Sequence, residues 1–457
     1  RATFSAKSNA ELRLGSTLIW SQTASDSVNV SYTLGAEQGK SYQFVLSIES
    51  GSVKYKDSVQ ILTKPLVAIK DRPAGVKDGI TYVRDHVFLS FYAPQKSFVY
   101  AIGEFSNWKV NPAYLMNRTS DENRYWIDLG SFSSGQEVAY QYYVDGNLTV
   151  ADPLTDQILD PNNDVYISSK TYPNLKKYPA ATSGIVSVFS TGQKDYPWAV
   201  KNFTRPSQSN LNIYELLVRD FVADKRYVTV ADSLPYLKKL GINALELMPV
   251  MEFTGNDSWG YNPIFYFAPD KAYGTKNDLK YLIDKCHENG IAVILDMVLN
   301  QADLENPYVK MYWDGTKPTA TSPFFNVTAT HPYSVFFDFN HESPHTQWLV
   351  DAVCQYWLTE YKMDGFRFDL SKGFTQINSG TNVDLWGKYD ASRIKIWKRI
   401  FNQIRTYDSN AYVILEHFAD NLEEKELGDY GMMLWANSKF DMTKIIQAYP
   451  TNYDWIS

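Results

Sequence analysis

At 457 residues the chain is too long for one ordinary core, so two or three domains are expected. A hydrophobic fraction of 44% and a charged fraction of 21% are those of a globular protein in water. The formal net charge of -7 argues against nucleic acid or an anionic membrane as the main partner, and no apolar run reaches the length of a membrane span.

Aromatic residues are enriched at 15%, with 33 Tyr and 12 Trp, a composition suited to stacking on the C–H faces of sugars. Most of these rings are expected to fill β-domain cores instead. The only cysteines, Cys286 and Cys354, fall in stretches with helical character and read as separate buried thiols, with no metal cluster. The chain opens at Arg1 rather than Met, which suggests a removed leader and a secreted, periplasmic or cell-surface location, the cytoplasm remaining open.

Residues 1–70 alternate polar and apolar in short runs, such as Glu11-Leu12-Arg13-Leu14, and predict a small antiparallel β-sandwich. A second β module is expected over 71–170, with a hairpin at Asp145-Gly146. The Pro-, Ser-, Gly- and Tyr-rich stretch 171–205 reads as a connector.

From residue 206 to 457 strands alternate with amphipathic helices. Strands are predicted at 212–217, 244–248, 292–296, around 367–369, at 412–416 and at 432–435, with helices at 276–288 and 391–406. This alternation without a Gly-rich phosphate loop predicts an α/β fold, a (β/α)8 TIM barrel. Asp296, Asp369 and Glu416 fall at carboxyl ends of strands, the end where such barrels carry their active sites.

Asp369 and Glu416 end successive strands, and neighbouring strands lie roughly 4.8 Å apart. Retaining glycosidases hold two carboxyls roughly 5 to 5.5 Å apart, so a double displacement is geometrically permitted. Arg367 shares a strand face with Asp369 and is expected to keep it ionised as a nucleophile. Glu416 follows an apolar run, where desolvation would hold a proton for general acid work.

The run Gly365-Phe366-Arg367-Phe368-Asp369-Leu370-Ser371-Lys372, with Ile414-Leu415-Glu416, Asp296-Met297-Val298-Leu299-Asn300-Gln301, Phe337-Asp338-Phe339-Asn340 and Trp259-Gly260-Tyr261-Asn262-Pro263, resembles the motif series of the α-amylase family, glycoside hydrolase family 13. Each motif alone is weak; in this order they are specific. The module at 71–170, with Gly103-Glu104-Phe105-Ser106-Asn107-Trp108 and Ala151-Asp152-Pro153, resembles the starch-associated β-sandwich of branching and debranching enzymes.

The resemblance implies Asp369 as nucleophile, Glu416 as acid/base and Arg367 as supporting cation. It implies Tyr261 as a stacking platform and Lys372 as an acceptor-side contact, with Asp296 orienting Arg367 and Tyr261. Trp259, Gln301 and His417 join the candidate substrate contacts, and residues 302–345 correspond to the family's inserted subdomain. No cofactor is required. Calcium is an option at Asn300, while the spacing of His341 and His345 is too common to argue for zinc.

Two departures stand out. Gln301 replaces a customary His, and is expected to hydrogen-bond a sugar hydroxyl without a proton equilibrium. The seventh-strand Asn-His-Asp does not occur before Ser457, so the barrel is expected to be truncated after about six strands, its C-terminal part and third carboxylate lying elsewhere. The leading expectation is a retaining hydrolase of α-1,4-glucans such as starch, glycogen or maltooligosaccharides. A branching enzyme or other transglycosylase is second, and a glucan-binding protein on a disabled barrel is the alternative from another class.

Overall fold

The computed structural model describes residues 2–35 and 37–436. Its contacts divide the chain into a first unit, 1–152 with 179–193, and a second, 153–178 with 194–457.

In the first unit, Thr17–Val28, Ala2–Leu14, Ser41–Ser50 and Val53–Leu62 form one antiparallel sheet in that order. The sandwich expected over 1–70 is therefore a single sheet. Tight turns at Gly15 and Gly51, both with positive φ, fold each strand onto its neighbour, so no chain is left for a second layer. The alternating pattern specified strands but could not specify how many sheets they share.

The second module does have two sheets. Gly79–Val83, His86–Tyr92, Arg124–Ser131 and Asn117–Arg118 make one. In the other, Glu137–Val144 pairs with Val99–Gly103, Leu148–Val150 and Val186–Ser190. Phe91 of the first sheet stacks on Tyr142 of the second at 4.2 Å, which marks the apolar layer between them. Asp145 and Gly146 adopt φ of 51° and 84°, the two left-handed residues a tight hairpin turn requires. The expected connector is revised: Val186–Ser190 is a buried strand of this module, its apolar alternation masked by the surrounding Pro and Ser.

In the second unit six parallel strands run in chain order: β1 (Ile213–Leu216), β2 (Ala244–Leu247), β3 (Ala292–Met297), β4 (Gly365–Phe368), β5 (Tyr412–Leu415) and β6 (Met433–Leu434). Among the described residues they make a half-barrel sheet. The stretch 437–457, where the expected end of the barrel falls, lies outside the described residues. The longer helices are α1 (Lys276–Glu288), α2 (Pro344–Glu360), α3 (Ala391–Tyr407) and α4 (Asn421–Tyr430). A capping box between Thr275 and Asp278 starts α1, each side chain bonding the other's backbone N–H.

Side chains two apart share a strand face, so the inner surface can be followed in layers. Ala244, Ala292, Ile294, Tyr412 and Ile414 cluster there with Ile213, Met433 and Trp435. One step further along each strand the layer becomes charged, with Glu215, Glu246, Asp296, Arg367 and finally Glu416. Gly365 lets β5 approach, since a Cβ there would lie 2.3 Å from the Tyr412 carbonyl oxygen. Between β3 and α2, Gln301–Ala302 pairs with Phe337–Asp338, and Phe325 stacks on Phe339 at 4.4 Å. These contacts give the inserted segment a small core of its own.

Candidate active site

Arg367 is the hub. It faces inward from β4 beside Asp296, its register partner on β3. Its Nη1 donates to Asp296 Oδ1 at 2.8 Å and to Asp369 Oδ1 at 2.9 Å. Its Nη2 reaches Glu416 Oε2 at 3.0 Å. The guanidinium is buried at 3% side-chain exposure, whereas Asp369 and Glu416 keep 15% and 25%, enough to be approached from the mouth. Leu370 holds a left-handed φ of 45°, and its N–H donates to Glu416 Oε2 at 3.0 Å. A non-glycine residue in that region is strained, and it is held here by the contacts around both carboxylates.

Asp296 is fully buried and also accepts from the Tyr261 hydroxyl at 2.7 Å, so it can orient but cannot touch a substrate. Tyr261 follows Gly260, whose φ of 93° and 2.7 Å clearance to Pro249 admit no side chain. Trp259 beside it is exposed.

Three expected substrate contacts are engaged within the protein itself. Gln301 is buried, donating through Nε2 to the Tyr261 carbonyl at 2.9 Å while its Oε1 accepts from Asn300 at 3.0 Å. It holds Tyr261 in place instead of meeting a sugar hydroxyl. Lys372 donates to the Phe418 carbonyl at 2.8 Å and lies 4.0 Å over the Trp386 ring, so it ties the loops after β4 and β5 together. His417 is buried, with Nδ1 2.9 Å from Ser371 Oγ and Nε2 2.8 Å from Glu423 Oε1. Ser371 Oγ donates to the Glu416 carbonyl at 2.8 Å, and Arg393 clamps Glu423, so this set braces Glu416 from behind.

Opposing influences act on the ionisation of Asp369. Burial, and then the neighbouring Asp296, raise its pKa, and Arg367 opposes them without cancelling them. One guanidinium divided among three carboxylates cannot fully serve any single one. Sequence reasoning missed Trp435, whose ring lies 4.3 Å from Arg367 Cζ. Its position two residues beyond Met433 already placed it on the inner face.

The calcium option at Asn300 can be tested by its donors. Asn300 Oδ1 is buried without a hydrogen-bond partner, but Nδ2 is held by Gln301. Among the described residues no three His, Cys, Asp or Glu side chains converge on it. His331 beside it turns Nε2 to Asp338 at 3.3 Å. The side chains present do not make a calcium cage there.

His341 and His345 do not form a metal pair either. His341 Nε2 donates to the Leu299 carbonyl at 2.9 Å, and the ring stacks on Phe374 at 3.6 Å. Burial pushes its pKa down to about 3 from 6.5. A depressed imidazole contributes stability that is fully present above its unfolded pKa and lost as pH falls through its folded pKa. His341→Gln is therefore expected to flatten the loss of unfolding free energy between pH 6.5 and 3, by up to about 5 kcal/mol. Urea denaturation at stepped pH measures this, and parallel curves for variant and wild type would remove His341 from the account.

Residues 227–332 match the alpha-amylase catalytic domain family. The malto-oligosyltrehalose trehalohydrolase of Saccharolobus solfataricus is 28% identical over 56% of this chain and 40% of its own length. The 1,4-alpha-glucan branching enzyme of Pseudoalteromonas atlantica is 26% identical over 76% of this chain and 46% of its own. The chain thus spans less than half the length of these curated relatives. A putative alpha amylase from Salmonella typhimurium shares the fold at a TM-score of 0.55 and 22% identity, covering 74% of this chain and 49% of that one. The order of the motifs, the parallel half-barrel sheet and these likenesses agree: the chain is similar to the alpha-amylase family, with the family match itself confined to residues 227–332.

Proposed function

We propose that this chain carries the nucleophile and acid/base of a retaining glycosidase acting on α-1,4-glucans such as starch, glycogen or maltooligosaccharides. The observation that carries the reading is the pairing of Asp369 and Glu416, from adjacent strand ends, on the two terminal nitrogens of Arg367. A double displacement uses two carboxyls roughly 5 to 5.5 Å apart, and two carboxylates from adjacent strand ends that share one guanidinium suit that arrangement.

In the first step the Asp369 carboxylate attacks the anomeric carbon while the Glu416 carboxyl gives its proton to the departing glycosidic oxygen. The product is a glycosyl ester on Asp369 and a freed sugar chain. In the second step Glu416, now a carboxylate, takes a proton from water as that water displaces Asp369. Arg367 stabilises the carboxylate that departs.

A sugar hydroxyl in place of water would make the same site a transglycosylase. The branching enzymes among the relatives favour keeping that reading second. Incubation with amylose, following reducing ends and iodine absorbance together, separates the two. New reducing ends mean hydrolysis; a shifted iodine spectrum without new ends means branching; no change in either contradicts an enzyme. Glu416→Gln is expected to lower turnover by about 10²- to 10⁴-fold while glucan affinity stays near wild type. Unchanged turnover with a large loss of affinity would contradict the acid/base role.

A further inference from the structure

Below the Arg367 hub, the inner face of the half-barrel carries three acids with too little positive charge among the described residues to balance them. Glu215 on β1 and Glu246 on β2 are direct register partners, so two like charges stand side by side on neighbouring strands. Such a pair is destabilising unless something compensates it. Asp296 on β3 completes the group, and one oxygen from each of the three lies within 4.8 Å of the others. Arg367, the cation in contact with Asp296, is already shared with Asp369 and Glu416.

The second observation is Glu246 itself. It is fully buried, and neither of its carboxylate oxygens has a hydrogen-bond partner among the described residues. Buried carboxylates are normally paired, hydrogen-bonded or bound to a metal, because an isolated buried charge is very costly.

We propose that Glu215, Glu246 and Asp296 form a binding site for one divalent cation, with calcium the ion it fits best. All the donors are hard oxygens, which suit calcium or magnesium rather than zinc. Oxygens around calcium, at roughly 2.3 to 2.6 Å, span up to about 5 Å, while around magnesium they span only about 4.2 Å. The three oxygens lie within 4.8 Å of one another, and calcium's flexible shell accepts such an irregular set more readily than magnesium's near-ideal octahedron. The site differs in position from Asn300, and it does not depend on the reaction proposed for Asp369 and Glu416. A bound cation would hold Glu246 and Asp296 ionised, leaving Arg367 freer to serve Asp369.

The test uses the whole chain after treatment with a chelator. Calorimetric titration with calcium is expected to show one ion per chain, with a dissociation constant on the order of 10⁻⁴ M or tighter and magnesium at least about tenfold weaker. Terbium, excited through the indole band, should emit from the same site and be displaced by calcium. Glu246→Gln and Glu215→Gln should each weaken both signals at least tenfold, with far-UV circular dichroism showing that they fold. Glu215 is exposed, so its variant carries the test even where Glu246→Gln fails to fold. The absence of calcium binding at millimolar concentration, or wild-type affinity in a folded variant, would overturn the proposal. The first result would mean that a proton compensates the acids.

Discussion

Asp369→Asn is expected to lower turnover on amylose by at least about 10⁴-fold, equivalent to about 5 kcal/mol of transition-state stabilisation. The amide keeps the shape of the carboxyl and can still lie against Arg367, but it cannot form the glycosyl ester. Glucan affinity should stay within a few-fold of wild type, because the substitution leaves Tyr261 and Trp259 untouched. Stability should not suffer. Burial and Asp296 both act against the charged form of Asp369, so removing that charge relieves repulsion inside the site. A thermal midpoint equal to or above wild type, together with lost turnover, would show that the group is kept for chemistry at the expense of stability. Residual turnover within tenfold of wild type would remove Asp369 from the nucleophile's role.

What the sequence made legible were features set by local periodicity. Asp369 and Glu416 could be placed at neighbouring strand ends because side-chain alternation and strand order need no long-range information. The helix Lys276–Glu288 was legible because its amphipathic spacing is a local signal, and the Thr275–Asp278 capping box that starts it is equally local. What stayed hidden were choices made by distant partners. The amide of Gln301 is occupied by Tyr261, 40 residues away, and Lys372 by the Phe418 carbonyl, 46 residues on. His417 is close in sequence to Glu423, yet only the packing of α4 brings that acid beneath it. The raised pKa of Asp369 was hidden for a related reason. A neighbouring arginine argues for ionisation only when it is not shared, and the sequence does not show that Arg367 also serves Asp296 and Glu416.

That sharing makes Arg367→Met the substitution with the widest effect. Methionine has comparable length but no charge and no donors, so it would leave Asp296 buried beside Asp369 and Glu416 without a compensating cation. Removing one partner from a buried ion pair costs about 3 to 5 kcal/mol, and here three acids depend on the same partner. Stacking against Trp435 at 4.3 Å would be lost as well, a further contribution of about 0.5 to 2 kcal/mol. The loss should depend on pH, and its sign follows from the acids. Without Arg367 the folded-state pKa values of Asp296 and Asp369, already raised by burial, rise further above their unfolded values. Stability is then retained below the unfolded carboxylate range and declines as pH rises through the folded values. The variant should therefore come closest to wild type in acid and fall furthest below it in mild alkali. Arg367→Lys separates charge from geometry. A single ammonium can neutralise part of the cluster, but it lacks the planar fork that reaches Asp296 and Asp369 through one nitrogen and Glu416 through another. It should recover part of the stability and little of the turnover. Thermal unfolding across pH and amylose turnover, measured on both variants, check this account. Full activity in Arg367→Lys would show that the alignment of the two carboxylates does not depend on the fork.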